Sequence, residues 1–249
     1  MKLTSHESQN ISLATWNIQS GGGKRIPQIA DRLRTLAPDC LLISEYRSVP
    51  GIKLREALAV DETIVLQDSL PPPKQNGLLF SSPHRFQVLT DQGATPKSSH
   101  RWLPAIFPTL GLQVLGVHVP NQGEHWDKDD FWHHLLLFAA EHSGSRVAIL
   151  GDFNTGLSED TEGTPFYLEH CFQMLLDLGW VDCWRRCNEK TREYSWLSRQ
   201  KKNGFRLDHC FLSPPLSPCL ASAHFDHDVR SHGLSDHSLL VVELNLEQR

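Results

Sequence analysis

Six segments of this 249-residue chain carry, near the end of an apolar run, a side chain able to bind a cation, move a proton or hold a phosphate oxygen. "ISLATWN" ends at Asn17, "CLLISE" at Glu45 and "VAILGDFN" at Asp152 and Asn154, while "LQVLGVHVPN" carries His118 and Asn121. Two later segments, "FRLDH" and "LSDHS", supply Asp208, Asp236 and His237. Burying any of these without partners is costly. At strand ends they can instead converge on one mouth of a sheet, where binding sites tend to form. The set Glu45, Asp152, Asp236 and Asn17 is rich in oxygen and free of thiolate, which suits Mg²⁺ or Mn²⁺ better than Zn²⁺. Such cations favour phosphoryl chemistry. His237, with Asp208 available to orient its ring, is suited to donate to a phosphate oxygen on which negative charge develops. Each residue also has a plainer role: Asp or Asn after a strand is commonly a turn residue or helix cap. Glu45 has Arg47 close by for a surface pair, and Asp208 has Arg206.

The elements that must position these residues alternate between short β-like runs and helical stretches. The pattern predicts strands at Ile11–Trp16, Cys40–Ser44, Gly77–Phe80, Ala105–Leu110, Leu112–Val119, Val147–Leu150, Leu207–Leu212 and Leu239–Leu244. In Lys24–Leu36 the apolar residues Ile26, Ile29, Leu33 and Leu36 recur at helical spacing, and Phe131–Glu141 and Phe166–Leu178 are long enough for helices. Loops are marked by "PPPKQNG" (71–77), "DQGATPKSS" (91–99), "GLSEDTEGTP" (156–165) and "SPPLSPC" (213–219). The fold class expected is α/β or α+β, two packed mixed sheets with helices outside. With no linker or repeat in view, 1–249 reads as a single domain with its core at about 11–246.

Composition excludes several classes. The N-terminus "MKLTSHESQN" has no apolar signal region, and no run approaches the ~18 apolar residues of a membrane helix, so the expected location is cytoplasmic. Six scattered cysteines form neither a zinc pattern nor a disulfide scaffold, and they read as reduced. Net charge of -5 does not advertise a polyanion binder, although carboxylates gathered at a metal site would mask a local basic surface. The group His224, Asp226, His227 and His232 reads as a polar loop.

In order, spacing and strand context, "TWNIQSGGG", "LISEYR", "GVHVPNQGE", "LGDFNTG", "GFRLDHCFLS" and "LSDHSLLVVEL" together resemble the endonuclease/exonuclease/phosphatase superfamily over almost the whole chain. Each motif alone is weak, and six in sequence are specific. The resemblance implies a four-layer sandwich and divalent-metal-dependent phosphoester hydrolysis. It implies Glu45 and Asn17 as metal ligands with Asp236 close by, Asp152 and Asn154 as the pair that positions the attacking water, and His237 on the scissile phosphate held by Asp208.

Within the superfamily the likeness is greatest to the exonuclease III and abasic-site endonuclease branch. "YSWLSRQKKNGFRLDH" resembles the part of those enzymes that forms the pocket for a base-less sugar, which places Trp196, Phe205 and Leu207 as its apolar walls. A small sugar with little to hydrogen-bond suits such walls. Arg199, Lys201 and Lys202, with Lys24 and Arg25, are placed to meet flanking phosphates, and Asn121 to bind substrate. Two residues depart from that branch: His118 stands in "HVPN" where abasic-site enzymes carry a tyrosine, as it often does in deoxyribonuclease I-like and phosphatase members, and Gln19 stands where an acidic or asparagine side chain often helps bind metal. A histidine there is expected to protonate or stabilise the leaving oxygen. The function expected is a monomeric DNA phosphodiesterase using Mg²⁺ or Mn²⁺ and leaving 3′-hydroxyl and 5′-phosphate ends. The alternatives are a non-specific deoxyribonuclease I-like endonuclease, a phosphatase or phosphodiesterase acting on phospholipids or small nucleotides, and a non-catalytic nucleic-acid-binding protein.

Overall fold

The computed structural model describes residues 8–90 and 95–247, so most of the polar N-terminus and the first part of the 91–99 loop lie outside the described residues. The first third holds β1 (Ser8–Asn17), α1 (Ile26–Leu36), β2 (Cys40–Tyr46), α2 (Ser48–Leu58), β3 (Val65–Asp68) and β4 (Gly77–Ser82). The middle holds β5 (Gln87–Val88), β6 (Trp102–Phe107), β7 (Leu112–His118), α3 (His125–His142), β8 (Val147–Asp152), α4 (Glu169–Asp177) and β9 (Val181–Asp182). The last third holds α5 (Cys183–Asn188), β10 (Trp196–Leu197), β11 (Gly204–Phe205), β12 (Asp208–Leu212), β13 (Leu220–Asp226), α6 (Asp228–Ser231) and β14 (Leu239–Glu247).

Two mixed six-stranded sheets result, ordered β13-β14-β1-β2-β4-β3 and β5-β6-β7-β8-β12-β9, with β10 and β11 as a separate hairpin. Every strand expected from the sequence forms, and the corrections concern extent. The run at Ala105–Leu110 turns into a 3-10 turn at Pro108, whose fixed φ and missing N–H stop a strand. The short strands β3, β5, β9, β10, β11 and β13 and the helices α2, α5 and α6 carried too little periodicity to be read from the sequence.

Strand period explains the layers. Along β1, Ile11 and Leu13 face the other sheet while Ala14 and Trp16 face α1 and α2; along β8, Ala148 and Leu150 face inward while Val147 and Ile149 face α3 and α4. Three apolar layers separate four layers of backbone, as expected of the sandwich. The sheets come close enough that a Cβ on Gly116 would sit 2.5 Å from Leu42 Cδ1. Among the described residues no helix is long and apolar enough to cross a membrane. All six cysteines are free.

Candidate active site

The inward-facing alternation does not stop where the apolar residues stop. It continues by one step at one end of the sandwich. On β1 the inner face runs Ile11, Leu13, Thr15, Asn17; on β7 it runs Leu112, Val114, Gly116, His118; on β8 it runs Ala148, Leu150, Asp152; on β12 it is Asp208, Cys210, Leu212. Parallel pairing sets His118 opposite Asp152, and antiparallel pairing sets Asp208 opposite Asp152. The three residues therefore form one row across adjacent strands. A tight backbone spacing supports that row: Gly151 has φ 147°, and a Cβ there would meet the Val117 carbonyl oxygen at 1.8 Å.

The second sheet closes the site from across the cleft. Asn17 Nδ2 donates to Asp152 Oδ2 (2.9 Å) and Glu45 Oε1 (3.2 Å), and its Oδ1 accepts the Gln19 N–H (2.9 Å). Glu45 sits at a register shift between Ser44 and Tyr46 with φ 56°, a conformation that is strained for a glutamate. That bulge turns its carboxylate toward Asn17 and lets Oε2 accept the Ser20 N–H (2.6 Å). The surface pair with Arg47 does not form: Arg47 Nε donates to Asn76 Oδ1 (2.6 Å).

His237 Nδ1 is 2.8 Å from Asp208 Oδ2, both buried, so Asp208 pairs with His237 and not with Arg206. Burial opposes a charge on the ring, but the Asp208 carboxylate and its hydrogen bond, with Asp152 and Asp236 behind, raise the His237 pKa to about 10. The ring is therefore an imidazolium that donates from Nδ1. Asp152 is raised too, which for a carboxylate favours the neutral form. Burial and the Asp208 charge push it up to about 7, against His237, the Asn17 amide and the Asn154 N–H, which favour its charged form. Asn154 caps the strand at φ 46°; its N–H donates to Asp152 Oδ1 (3.0 Å) and its Nδ2 to the Val119 carbonyl (2.9 Å).

His118 Nε2 lies 3.8 Å from Asp152 Oδ2, and its buried Nδ1 has no hydrogen-bond partner. Burial, then the charges of Arg101 and His237, lowers its pKa well below the ordinary histidine value. A ring so placed favours its neutral form, the form that stabilises an oxygen by hydrogen bonding.

Asp236 Oδ2 accepts from Trp196 Nε1 (3.3 Å) and lies 3.9 Å from an exposed Arg199. Trp196 also bridges to the backbone of His237, which ties the β10–β11 hairpin to the site. Trp196 and Phe205 are half-buried with ring centroids 5.6 Å apart, and Leu207 is buried but belongs to none of the three apolar core layers. Lys201 and Lys202 are exposed at the tip of the hairpin. Arg25 is not available to a phosphate, because its guanidinium donates to the carbonyls of Leu234, Ile18 and Gln19. Asn121 is exposed and closes its own turn by accepting the Gly123 N–H (2.8 Å). The segment expected to be a polar loop at 224–232 instead closes β13 and forms α6, and its side chains part: Asp226 pairs with Arg32, His227 with Glu193 and Ser238, and His232 with the Asp228 carbonyl.

One residue at the site was not read from the sequence. Lys128 on α3 is fully buried, and its Nζ donates to the Asn154 carbonyl (2.6 Å). Burial lowers its pKa to about 8 against the pull of Asp152 and Asp129. A lysine in the stretch "HWDKDD" looks like part of a solvated charged face, and only the docking of α3 turns it inward.

The donor set fits a hard divalent cation. Ligand atoms of Asp152, Asp208 and His237 lie within 4.8 Å of one another, a group able to hold a metal ion. Glu45 adds carboxylate oxygens beside them, Asn17 turns its amide nitrogen to Glu45 and Asp152 while its Oδ1 accepts the Gln19 N–H, the cluster holds no thiolate among the described residues, and the buried Asp208 Oδ1 lacks a hydrogen-bond partner. Because His237 is protonated by its pairing with Asp208, it is the poorest ligand of the group.

A model of the endonuclease/exonuclease/phosphatase family matches residues 14–237 of the chain. Among solved structures, the 3′ phosphatase NExo from Neisseria bound to product DNA hairpin superposes with a TM-score of 0.83 at 23% identity, over 95% of this chain and 100% of that one. An AP endonuclease from Archaeoglobus fulgidus gives 0.82 at 21% identity over 95% and 100%. The AP endonuclease LMAP from Leishmania major gives 0.74 at 15% over 95% and 88%. At these identities the likeness is one of fold. The comparison with curated proteins returns no match.

Proposed function

The chain belongs to the endonuclease/exonuclease/phosphatase family, and from that premise we propose that it is a divalent-metal-dependent phosphodiesterase acting on DNA, as a monomer in the cytoplasm. The observation that carries the reading is the buried row of His118, Asp152 and Asp208 with His237 paired to one end. The row supplies a carboxylate near neutral pKa, a fixed imidazolium and a neutral imidazole within one cleft. The DNA in the Neisseria complex and the two AP endonucleases favour a nucleic-acid substrate.

Asp152, held by Asn17 and the Asn154 N–H, orients a water for in-line attack on phosphorus and takes its proton. His237, fixed by Asp208, directs its remaining ring N–H at a non-bridging oxygen, and Asn154 sits beside it for the same charge. Neutral His118 donates to an oxygen at the edge of the row. Glu45 and Asn17, with Asp236 in support, would hold Mg²⁺ or Mn²⁺, which would supply positive charge to stabilise the leaving 3′-oxygen. The products are 3′-hydroxyl and 5′-phosphate ends. The Trp196 ring lies 6.4 Å from that of His237 and packs on Phe205, and in this reading the two rings with Leu207 wall a pocket that suits a flipped-out abasic sugar, while the exposed Arg199, Lys201, Lys202 and Asn121 take the flanking strand.

The test is purified protein with Mg²⁺ or Mn²⁺ on end-labelled intact, abasic-site and single-stranded DNA, with phospholipid and nucleotide substrates in parallel. Incision at the abasic site with 3′-hydroxyl products is the expected outcome. Equal cutting of every duplex would assign a general endonuclease, activity confined to lipids or nucleotides would move the chain to the phosphatase side of the family, and 3′-phosphate ends would reject the mechanism.

A further inference from the structure

We propose that Lys128 is a positioning residue, which holds the Asp152–Asn154 turn in its working geometry from behind. The idea rests on the reading of Asp152 and Asn154 as the water-orienting pair. Lys128 is 1% exposed, and no carboxylate among the described residues lies within ion-pair distance of it. Its Nζ has one hydrogen-bond partner among the described residues, the carbonyl of Asn154. A buried cation with a single neutral acceptor is a poor way to stabilise a fold, and replacing it by an apolar side chain of like shape is commonly neutral or favourable.

The place of that one bond gives the lysine its use. Asn154 stands in the left-handed region at φ 46°, its backbone N–H donates to Asp152, and one of its two side-chain N–H groups donates to Val119. The ammonium fixes the remaining backbone group, the carbonyl, and so closes the turn on all sides. One helical turn further along α3, Trp132 Nε1 donates to Thr155 Oγ1 (3.2 Å). Residues four apart share a helix face, so a single face of α3 grips two consecutive residues just past Asp152. With a geometric tolerance of well under 1 Å for efficient in-line attack, release of the carbonyl shifts Asp152 and Asn154 together while leaving the substrate-facing hairpin untouched.

Lys128→Met is expected to melt at or above the parental temperature, to cut kcat at least about tenfold with KM within about twofold, and to speed hydrogen exchange at the Asn154 amide measured without substrate. Lys128→Arg, which keeps the donor, should recover part of the kcat. Lys128→Gln carries the same kcat and exchange expectations as the methionine if the latter does not fold. Parental kcat, or unchanged Asn154 exchange, in a folded neutral variant would overturn the proposal. The exchange measurement needs no substrate, so it decides this point even if the parent protein hydrolyses none of the phosphoesters offered to it.

Discussion

Two groups of buried charges face each other across β12, and they are balanced in opposite ways. On the outer side, Arg206 is wholly buried and donates to both oxygens of Asp160 (2.9 Å each) and to Asp182 (2.7 Å); Arg185 adds a bond to Asp160 (2.7 Å) and His209 one to Asp182 (3.2 Å). Burial alone would raise both carboxylates, but the guanidinium and its hydrogen bonds, with His209, hold Asp160 and Asp182 below their ordinary range. On the inner side, Asp152 and Asp208 share one imidazolium with Glu45 close by, Asp152 is pushed up to about 7, and Asp208 keeps an unpartnered oxygen. A satisfied network reads as structure. The undersatisfied one is where the proposed function puts the cation and the phosphate.

The sharpest way to separate the two is to remove one carboxylate from each. Asp152→Asn is expected to lower kcat by about 10³-fold or more, in the range of lost acid–base and electrostatic catalysis, while leaving the melting temperature unchanged or higher. A variant that retained parental turnover would remove the site from the inner cluster. Arg206→Ala should do the reverse and destabilise the fold by about 3–5 kcal/mol, because it strands two buried carboxylates. Urea denaturation measures that loss, and a near-neutral result would mean that the outer network is not a unit.

Acidity should act with opposite sign on the two groups. Asp160 and Asp182 titrate below the unfolded value of ~3.9, so their stabilisation is complete above that pH and is lost as pH falls through the folded values. Asp152 titrates above its unfolded value, so its contribution is greatest below pH ~3.9 and is lost as pH rises through about 7. His237, raised to about 10, gives stability that is whole below pH ~6.5 and lost toward pH 10. Thermal melts should therefore show Asp152→Asn more stable than the parent at pH 8 and equal to it near pH 4. Mg²⁺ or Mn²⁺ should bind with release of protons below pH 7, which calorimetry in buffers of different ionisation enthalpy would read. Equal heats in all buffers would contradict the inner-cluster picture.

The smallest effect belongs to the hairpin that spans both groups. Arg206 anchors its base, since the Arg206 N–H donates to the Asp160 carbonyl, and Trp196 leans on Asp236 at its other side. Trp196→Ala is expected to cost about tenfold in kcat/KM on an abasic-site substrate, the loss of roughly 1–2 kcal/mol of apolar contact, and to change little on a small phosphodiester. An equal loss on both would place Trp196 with the chemistry and not with recognition.

The inner cluster was legible in the sequence because its members close apolar strands, and period two then forces Asn17, His118, Asp152 and Asp208 to the same face. Glu45 was legible as a strand end, though nothing in "LISEYR" announces the bulge that re-aims it. The outer network was not legible. Asp160 sits in a stretch that reads as a loop, Asp182 in a two-residue strand and Arg206 beside a more obvious partner in Asp208, so only the folded chain reveals who pairs with whom. Lys128 was hidden for the same reason: a charged residue among charged neighbours has no pattern that marks it as buried.

The same alternation makes the site sensitive to chain length rather than to composition. Deleting one residue between Val147 and Leu150 would carry Phe153 into the cleft and Asp152 out toward α3 and α4, whereas most apolar exchanges along β8 leave the row in place. In a library of single-codon deletions, activity should vanish along the whole of β8 and β12 while hairpin-tip deletions near Lys201 survive, a map that draws the boundary of the machine in units of one residue.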